Sequence, residues 1–164
     1  MGDTVRKPST DASPFVAELL NLLEATGFQG APRYAGQAEG FDIFTFVEGH
    51  VPARFQAWSD GQVLAASGLL RQMHDATGVS TLAGRFEVVC HHDPGPNNYV
   101  LQGDMPNALI DFAVAAPGAG WMMSRIWPGR GASRRRSAFR SVGKRRRSGS
   151  SLIHTASWRS SVMP

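Results

Sequence analysis

The residues best suited to chemistry in this chain lie in one polar segment, positions 91–98, between two apolar runs. His91, Asp93 and Asn98 have the spacing H-x-D-x-x-x-x-N. In phosphoryl transfer, this spacing supplies a carboxylate that accepts a hydroxyl proton and an asparagine that turns back to hold a metal ion. Asp111 ends the apolar run that follows, and its oxygens suit Mg²⁺ beside the Asn98 side chain. The pattern therefore predicts a carboxylate base next to a two-ligand magnesium site.

Each of these residues also has a structural interpretation when it is taken alone. Asp93 precedes a Pro-Gly-Pro run that is typical of turns, and Asp111 could cap a following element. The spacing, the flanking apolar runs and the second aspartate together favour the functional interpretation. A zinc site on Cys90 and the three residues after it is disfavoured, because four consecutive residues of a strand cannot all face one ion.

Two helices are predicted to position this segment. The first begins with Ser13 as its N-cap and Pro14 at the first helical position. The second begins at Ser59, and Gln62 completes a capping box three residues later. Glycine is the usual residue just past a helix end. The predicted stops are Gly27 and Gly78.

Short apolar, β-prone runs are predicted as strands around the helices. They lie at 4–7, 41–46, 86–89, 99–101 and 108–110, and the last two flank a predicted turn at Gly103-Asp104. Phe41, Phe44 and Phe46 of the second run are expected in the core rather than on a stacking surface. Helices and strands in this order predict an α+β fold.

The charges of the chain are sharply segregated. All 13 acidic residues and six of the 17 Lys and Arg lie in 1–111, while 112–164 holds the other eleven basic residues and no acid. Apolar periodicity also ends there, so 1–127 is predicted to fold and 128–164 to be a disordered basic tail. The tail could bind nucleic acid, be a solvated charge run, or come from a shifted reading frame. Nucleic acid is the less favoured partner, because few aromatic residues interrupt the basic runs.

The composition argues against a membrane span and against an internal disulfide. A hydrophobic fraction of 42% is ordinary for a globular chain, and no run of eighteen apolar residues predicts a membrane span. Cys90 stands alone, so an internal disulfide is excluded and a reducing, cytoplasmic location is expected.

Several segments together resemble the aminoglycoside phosphotransferase family. Residues 88–100 resemble its catalytic loop, and 106–112 resemble its metal-binding strand. Residues 69–77 are similar to a helix that ends in a Leu-His-Asp signature, and 44–49 are similar to the hinge between its two lobes. The resemblance covers about residues 4–121. It implies part of a protein-kinase-like fold: the end of the small lobe, the hinge and the start of the large lobe.

The resemblance also implies roles for individual residues. Asp93 is the base, His91 braces the loop, and Asn98 and Asp111 are ligands of Mg²⁺. The implied cofactor is ATP. Lys7 holds its phosphates, Glu24 pairs with that lysine, and the hinge backbone at Phe46 and Glu48 meets the adenine.

The implied activity is ATP- and Mg²⁺-dependent phosphorylation of a small-molecule hydroxyl group. We expect this activity to be impaired, because no glycine-rich phosphate loop precedes Lys7 and the substrate-binding helices do not follow. Ala113 also stands where the family has a second acid. The rival interpretation is an inactive remnant or a binding module whose basic tail contacts nucleic acid or other acidic partners.

Overall fold

The computed structural model describes residues 3–120, which combine two helices with three small antiparallel sheets. The coarse prediction of a mixed helix and strand fold is confirmed. Three one-turn 3₁₀ helices complete the connections. The strands and helices in chain order are β1 (Thr4–Pro8), α1 (Ser13–Ala25), β2 (Tyr34–Ala38), β3 (Phe41–Thr45), α2 (Asp60–Thr77), β4 (Val88–Cys90), β5 (Tyr99–Gln102), β6 (Met105–Leu109) and β7 (Ala116–Gly118).

The first sheet has the order β1-β3-β2, so the apolar run of β3 is central. A tight turn joins β2 to β3, and both of its residues have positive φ, 53° at Glu39 and 79° at Gly40. Such turns match the right-handed twist of the paired strands. The sequence did not predict β2, because a stretch with Gly36 and Gln37 has weak β propensity and is held in place by pairing with β3.

The polar loop lies between the other two sheets. β5 and β6 form a hairpin whose turn holds Gly103 at φ 59°, as the sequence predicts. β4 pairs with β7, a strand that the sequence did not predict. Its residues are Ala116, Pro117 and Gly118, which have little intrinsic preference for a strand. The position of β7 therefore depends on its pairing partner.

The core lies where the helices meet the β5–β6 hairpin. Leu19, Leu20 and Leu23 of α1 are buried together with Met73 of α2. Tyr99 and Leu109 of the hairpin complete the same cluster, and both side chains are fully buried. The hairpin is therefore anchored by apolar packing, and it carries the polar loop at its first end and Asp111 just past its last.

The two predicted helix starts have different outcomes. Ser59 forms the predicted capping box: its side chain accepts from the backbone N–H of Gln62, and the Gln62 side chain accepts from the Ser59 N–H at 2.9 Å. The prediction for Ser13 is wrong, since the N-cap residue is Ala12 and no side chain caps the helix. The Ser13 hydroxyl donates to the Asp42 carboxylate on β3 instead, and its oxygen accepts from the backbone N–H of Thr10, which precedes the helix, at 2.9 Å.

The expectation that three phenylalanines belong to the core holds only in part. Phe44 packs edge-on against Tyr34 with ring centroids 5.7 Å apart. Phe41 is 38% exposed and Phe46 is 52% exposed. The β3 strand alternates between two faces, and Phe46 lies beyond its end, so the run cannot bury every aromatic ring.

The predicted tail at 128–164 lies outside the described residues. Within residues 3–120, no helix has the length and apolar character needed to cross a membrane.

Candidate functional site

His91 joins the polar loop to the strand that leads to Asp111. Its ring is fully buried and packs against Phe112 with centroids 4.8 Å apart. Its Nε2 lies 3.0 Å from the carbonyl oxygen of Ile110. A carbonyl oxygen only accepts, so Nε2 carries the proton and donates. The contact places His91 where it can hold the loop against the end of β6.

The His91 ring is neutral in this environment. Burial lowers the pKa of His91, and this effect outweighs the Ile110 hydrogen bond and the nearby carboxylates, which raise it. The second ring nitrogen, Nδ1, is buried without a hydrogen-bond partner in the described part of the chain. A proton on that nitrogen would be both desolvated and unpaired, so the charged form is disfavoured.

Asn98 turns back on Asp93, as the spacing requires. Its side-chain N–H₂ group donates to the Asp93 carbonyl at 2.8 Å and to the Asp93 carboxylate at 3.0 Å. The Asn98 side-chain oxygen accepts from Asn97 at 2.9 Å. Asn98 is only 4% exposed, while Asp93 is partly exposed. The loop therefore presents the Asp93 carboxylate from a fixed position.

Asp111 is held next to the loop in a strained conformation. The N–H of Ile110 donates to the Asn98 carbonyl at 2.9 Å, which places the start of Asp111 beside the loop. Asp111 has φ 65° and ψ 66°, and His92 has φ 64°. The left-handed region costs a non-glycine residue about 1–3 kcal/mol and is concentrated at functional sites. Two such residues, His92 and Asp111, therefore lie close to the polar loop and to the end of β6.

The ion pairs of the region differ from the expected ones. Lys7 Nζ lies 3.0 Å from Asp111 Oδ1, and both side chains are about half exposed. Glu24 was expected to pair with Lys7, but it lies 3.7 Å from Arg33. Glu24 is near the exposed end of α1, where Arg33 is also anchored by its hydrogen bond to the Phe28 carbonyl. Lys7 and Glu24 are therefore not brought together.

In the segment that was expected to be the hinge, the backbone groups of Phe46 and Glu48 form hydrogen bonds within the chain. The N–H of Phe46 donates to the Asp3 carbonyl at 2.9 Å. The Glu48 carbonyl accepts from the Gln102 side chain at 3.4 Å. Gly49 follows with φ 145°, and a Cβ atom there would collide with the Leu101 carbonyl oxygen. Phe46 lines a cavity beside Asp111, and Glu48 does not.

A cavity of about 270 Å³ lies between β1, β3, α1 and the segment around Asp111. Most of its wall is apolar. The charged residues that line it are Lys7, Asp42 and Asp111. Asp42 was missed by the sequence interpretation, although one acid inside the apolar run Phe-Asp-Ile-Phe is the signal that could have found it.

The oxygen atoms of Asn98 and Asp111 are of the kind that Mg²⁺ prefers. Asn98 Oδ1 has a second lone pair beyond its contact with Asn97, and Asp111 keeps one oxygen outside the Lys7 pair. Within residues 3–120, no cluster of three or more His, Cys, Asp or Glu is arranged for a metal. Mg²⁺ is commonly held by one or two carboxylates and several waters, so the chemistry of these two side chains is compatible with it.

Comparison with known proteins points away from the family that the motifs resemble. No family model matches the chain, and no solved structure matches it. The chain is similar to the trifolitoxin immunity protein of Rhizobium leguminosarum bv. trifolii. The two are 31% identical over 133 residues, an alignment that covers 71% of this chain and 51% of the relative. The chain therefore spans about half the length of the curated relative that it matches.

This similarity corrects the interpretation of the sequence. Membership of the aminoglycoside phosphotransferase family is wrong, and so is the inferred function as an ATP-using kinase, since the named relative is an immunity protein. The rival interpretation, an inactive remnant or a module with a nucleic-acid-binding tail, is replaced as well. The motifs misled because they are short: a polar loop and one strand describe local geometry that is not tied to one activity.

Proposed function

We propose that this chain is an immunity protein, which protects the cell that makes it from a toxin. The observation that carries this proposal is its similarity, along 71% of its length, to the trifolitoxin immunity protein. The shared stretch is much longer than the loop and strand that suggested a kinase. The proposal therefore depends on a long aligned stretch and not on one motif.

We place the protective action at the cavity and the polar loop beside it. The cavity is enclosed by residues from α1, β1 and β3, and it ends at the Lys7–Asp111 ion pair. The neighbouring loop is fixed by His91 and Asn98, so little ordering is required when a ligand arrives. Protection through binding requires no chemical step, and Asp93 as a base remains a prediction.

Magnesium is a separate part of the proposal. Asn98 and Asp111 would hold Mg²⁺, which supplies positive charge to an anionic group of a ligand. ATP as a second cofactor remains a prediction from the sequence. Lys7 already neutralises Asp111 at 3.0 Å, so a metal ion has to compete with an ion pair.

Two finer expectations also belong to this proposal. A three-stranded sheet with α1 comes first in the chain, and a connecting segment, α2 and a polar loop between short strands follow. This order supports the partial protein-kinase-like fold. The single cysteine, which is buried, supports a cytoplasmic location.

Growth in the presence of toxin tests the protective function. The full chain is expressed in a trifolitoxin-sensitive strain, and growth is compared with that of the same strain carrying an empty vector. We expect growth at toxin concentrations that stop the vector strain. Asp111→Asn should reduce the protection, and Asp75→Asn should not, because Asp75 forms an exposed ion pair on α2 and does not line the cavity. Equal sensitivity of the vector strain and the wild-type strain, at equal protein levels, would overturn the proposal.

A further inference from the structure

The charges that line the cavity do not balance. Two carboxylates, Asp42 and Asp111, face one ammonium group, that of Lys7. Lys7 is committed to Asp111 by the 3.0 Å ion pair. An apolar wall surrounds these groups, and charges interact more strongly there than they do in water. One of the two carboxylates in the cavity therefore has no positive charge to balance it.

Asp42 is the carboxylate without a cation. It is only 5% exposed, and no ion pair involves it among residues 3–120. Lys7 lies directly opposite it in the β1–β3 register, on the same face of the sheet, yet the lysine amine pairs with Asp111. A buried carboxylate without a partner of opposite charge loses most of its solvation energy.

The groups that contact Asp42 are all neutral. Its Oδ1 accepts from Tyr34 at 3.2 Å, from Ser9 at 3.4 Å and from Gln37 at 3.4 Å, distances at or beyond the long end of ordinary hydrogen bonds. Its Oδ2 accepts from Ser13 alone in the described structure. A carboxylate oxygen can accept two hydrogen bonds, so Oδ2 keeps capacity for one more donor.

We propose that the cavity binds an organic cation, with an apolar body against the wall and an ammonium group that donates to Asp42 Oδ2. Val16, Leu20 and Phe44 line the space for the body. A charged donor forms a stronger bond to a carboxylate than a neutral one, and it removes the excess charge. A metal ion is a poorer occupant, because it needs several oxygen ligands and this wall is mostly apolar. The proposal of this ligand class goes beyond the protective role, and binding measurements test it independently of the growth assay.

Three probes that share an indole ring test the charge directly. The wild-type chain is titrated by NMR or calorimetry with tryptamine, indole-3-ethanol and indole-3-acetate, and separately with Mg²⁺ alone. Tryptamine should bind about tenfold more tightly than indole-3-ethanol, the effect of one hydrogen bond to a charged group. Indole-3-acetate should bind more weakly than both.

Asp42→Asn has nearly the same size, removes the charge and replaces one acceptor oxygen with an N–H₂ donor. In this variant tryptamine should lose its advantage and bind as weakly as indole-3-ethanol, whose affinity should not change. Asp60→Asn is the matched control, because Asp60 is an exposed carboxylate in the first turn of α2 and does not line the cavity. It should bind all three probes as the wild type does.

A second variant keeps the test valid if Asp42→Asn fails to fold. Ser13→Ala keeps the carboxylate and removes the donor on Oδ2, so tryptamine should bind at least as tightly as it does to the wild type. Equal binding of tryptamine and indole-3-ethanol, or tighter binding of indole-3-acetate, would overturn the proposal. It would also be overturned if only Mg²⁺ bound and this binding required Asp42. None of these results depends on the growth assay, so the failure of either proposal is recognised separately.

Discussion

At the scale of single residues, the buried histidines and the strained aspartate carry the clearest consequences. His74 and His91 are both buried, and burial lowers the pKa of each. Asp111 adopts a left-handed conformation that favours glycine. The histidines make the stability of the fold depend on pH. The Asp111 conformation places backbone strain at the candidate site.

The histidines predict that stability falls in mild acid. A group whose pKa is lower in the folded state binds fewer protons there, so the unfolded state gains as pH falls below its own pKa of about 6.5. The urea midpoint should therefore decrease between about pH 7 and pH 5. The slope should become smaller in His74→Gln. A midpoint that is constant or rises over this range would contradict the assigned directions.

Asp111 predicts an unusual order of stability among its variants. Asp111→Ala and Asp111→Gly both remove the Lys7 ion pair, which at half exposure contributes little. Only glycine relieves the left-handed backbone, so Asp111→Gly should be more stable than Asp111→Ala by about 1 kcal/mol. Urea unfolding of the two proteins measures the difference. If the alanine variant is equally stable or more stable, the backbone strain is absent. Both variants should lose protection in the growth assay.

At the scale of elements, α2 is defined by local signals and α1 is not. The capping box of Ser59 and Gln62 begins α2, and Gly78 ends it. The start of α1 is fixed by a contact between the Ser13 hydroxyl and Asp42 on another element. Both starts were predicted from the same kind of sequence pattern. The outcome differs because the Ser13 oxygen accepts from the Thr10 N–H before the helix, while its hydroxyl donates to the buried Asp42 carboxylate.

The capping box predicts a local cost of substitution. Ser59→Ala removes the acceptor for the Gln62 N–H, so it should lower the free energy of unfolding by about 1 kcal/mol. Ser67→Ala is the control, because Ser67 is exposed within the same helix and bonds only to the Val63 carbonyl. That change should be neutral or slightly stabilising. Equal losses in the two variants would mean that the cap contributes nothing.

At the scale of the whole described structure, Gly49 and the residue after it join the first sheet to the β5–β6 hairpin. His50 and Leu101 exchange two backbone hydrogen bonds, at 2.7 and 2.9 Å. Gly49 comes so close to Leu101 that no side chain fits. This contact sets the position of β3, and so of Asp42, relative to the polar loop.

Two glycine-to-alanine changes test this joint against a control. Gly49→Ala should be strongly destabilising, by about 2 kcal/mol or more, because φ is 145° and the new Cβ meets backbone rather than a movable side chain. Gly68→Ala lies in α2 with open space around it, so it should stabilise the protein by up to about 1 kcal/mol. Thermal melts report both shifts. A Gly49→Ala protein as stable as the wild type would show that the close contact is absent.

By itself, the sequence determined the elements whose signals are local. These are α2 with its capping box, the hairpin around Gly103, and the return of Asn98 to Asp93 over five positions. Each depends on residues a few positions apart, so composition and spacing are sufficient. The same locality explains the error in function, because a short motif describes a loop and does not describe the protein that surrounds it.

Only the tertiary structure decided which distant groups meet. β2 and β7 exist because β3 and β4 pair with them, and Lys7 reaches Asp111 rather than Glu24. Asp42 became part of the candidate site because α1, β2 and the residue after β1 converge on it. No spacing rule gives such contacts, since they are set by the packing of whole elements, in which burial of the apolar core determines which polar groups come together.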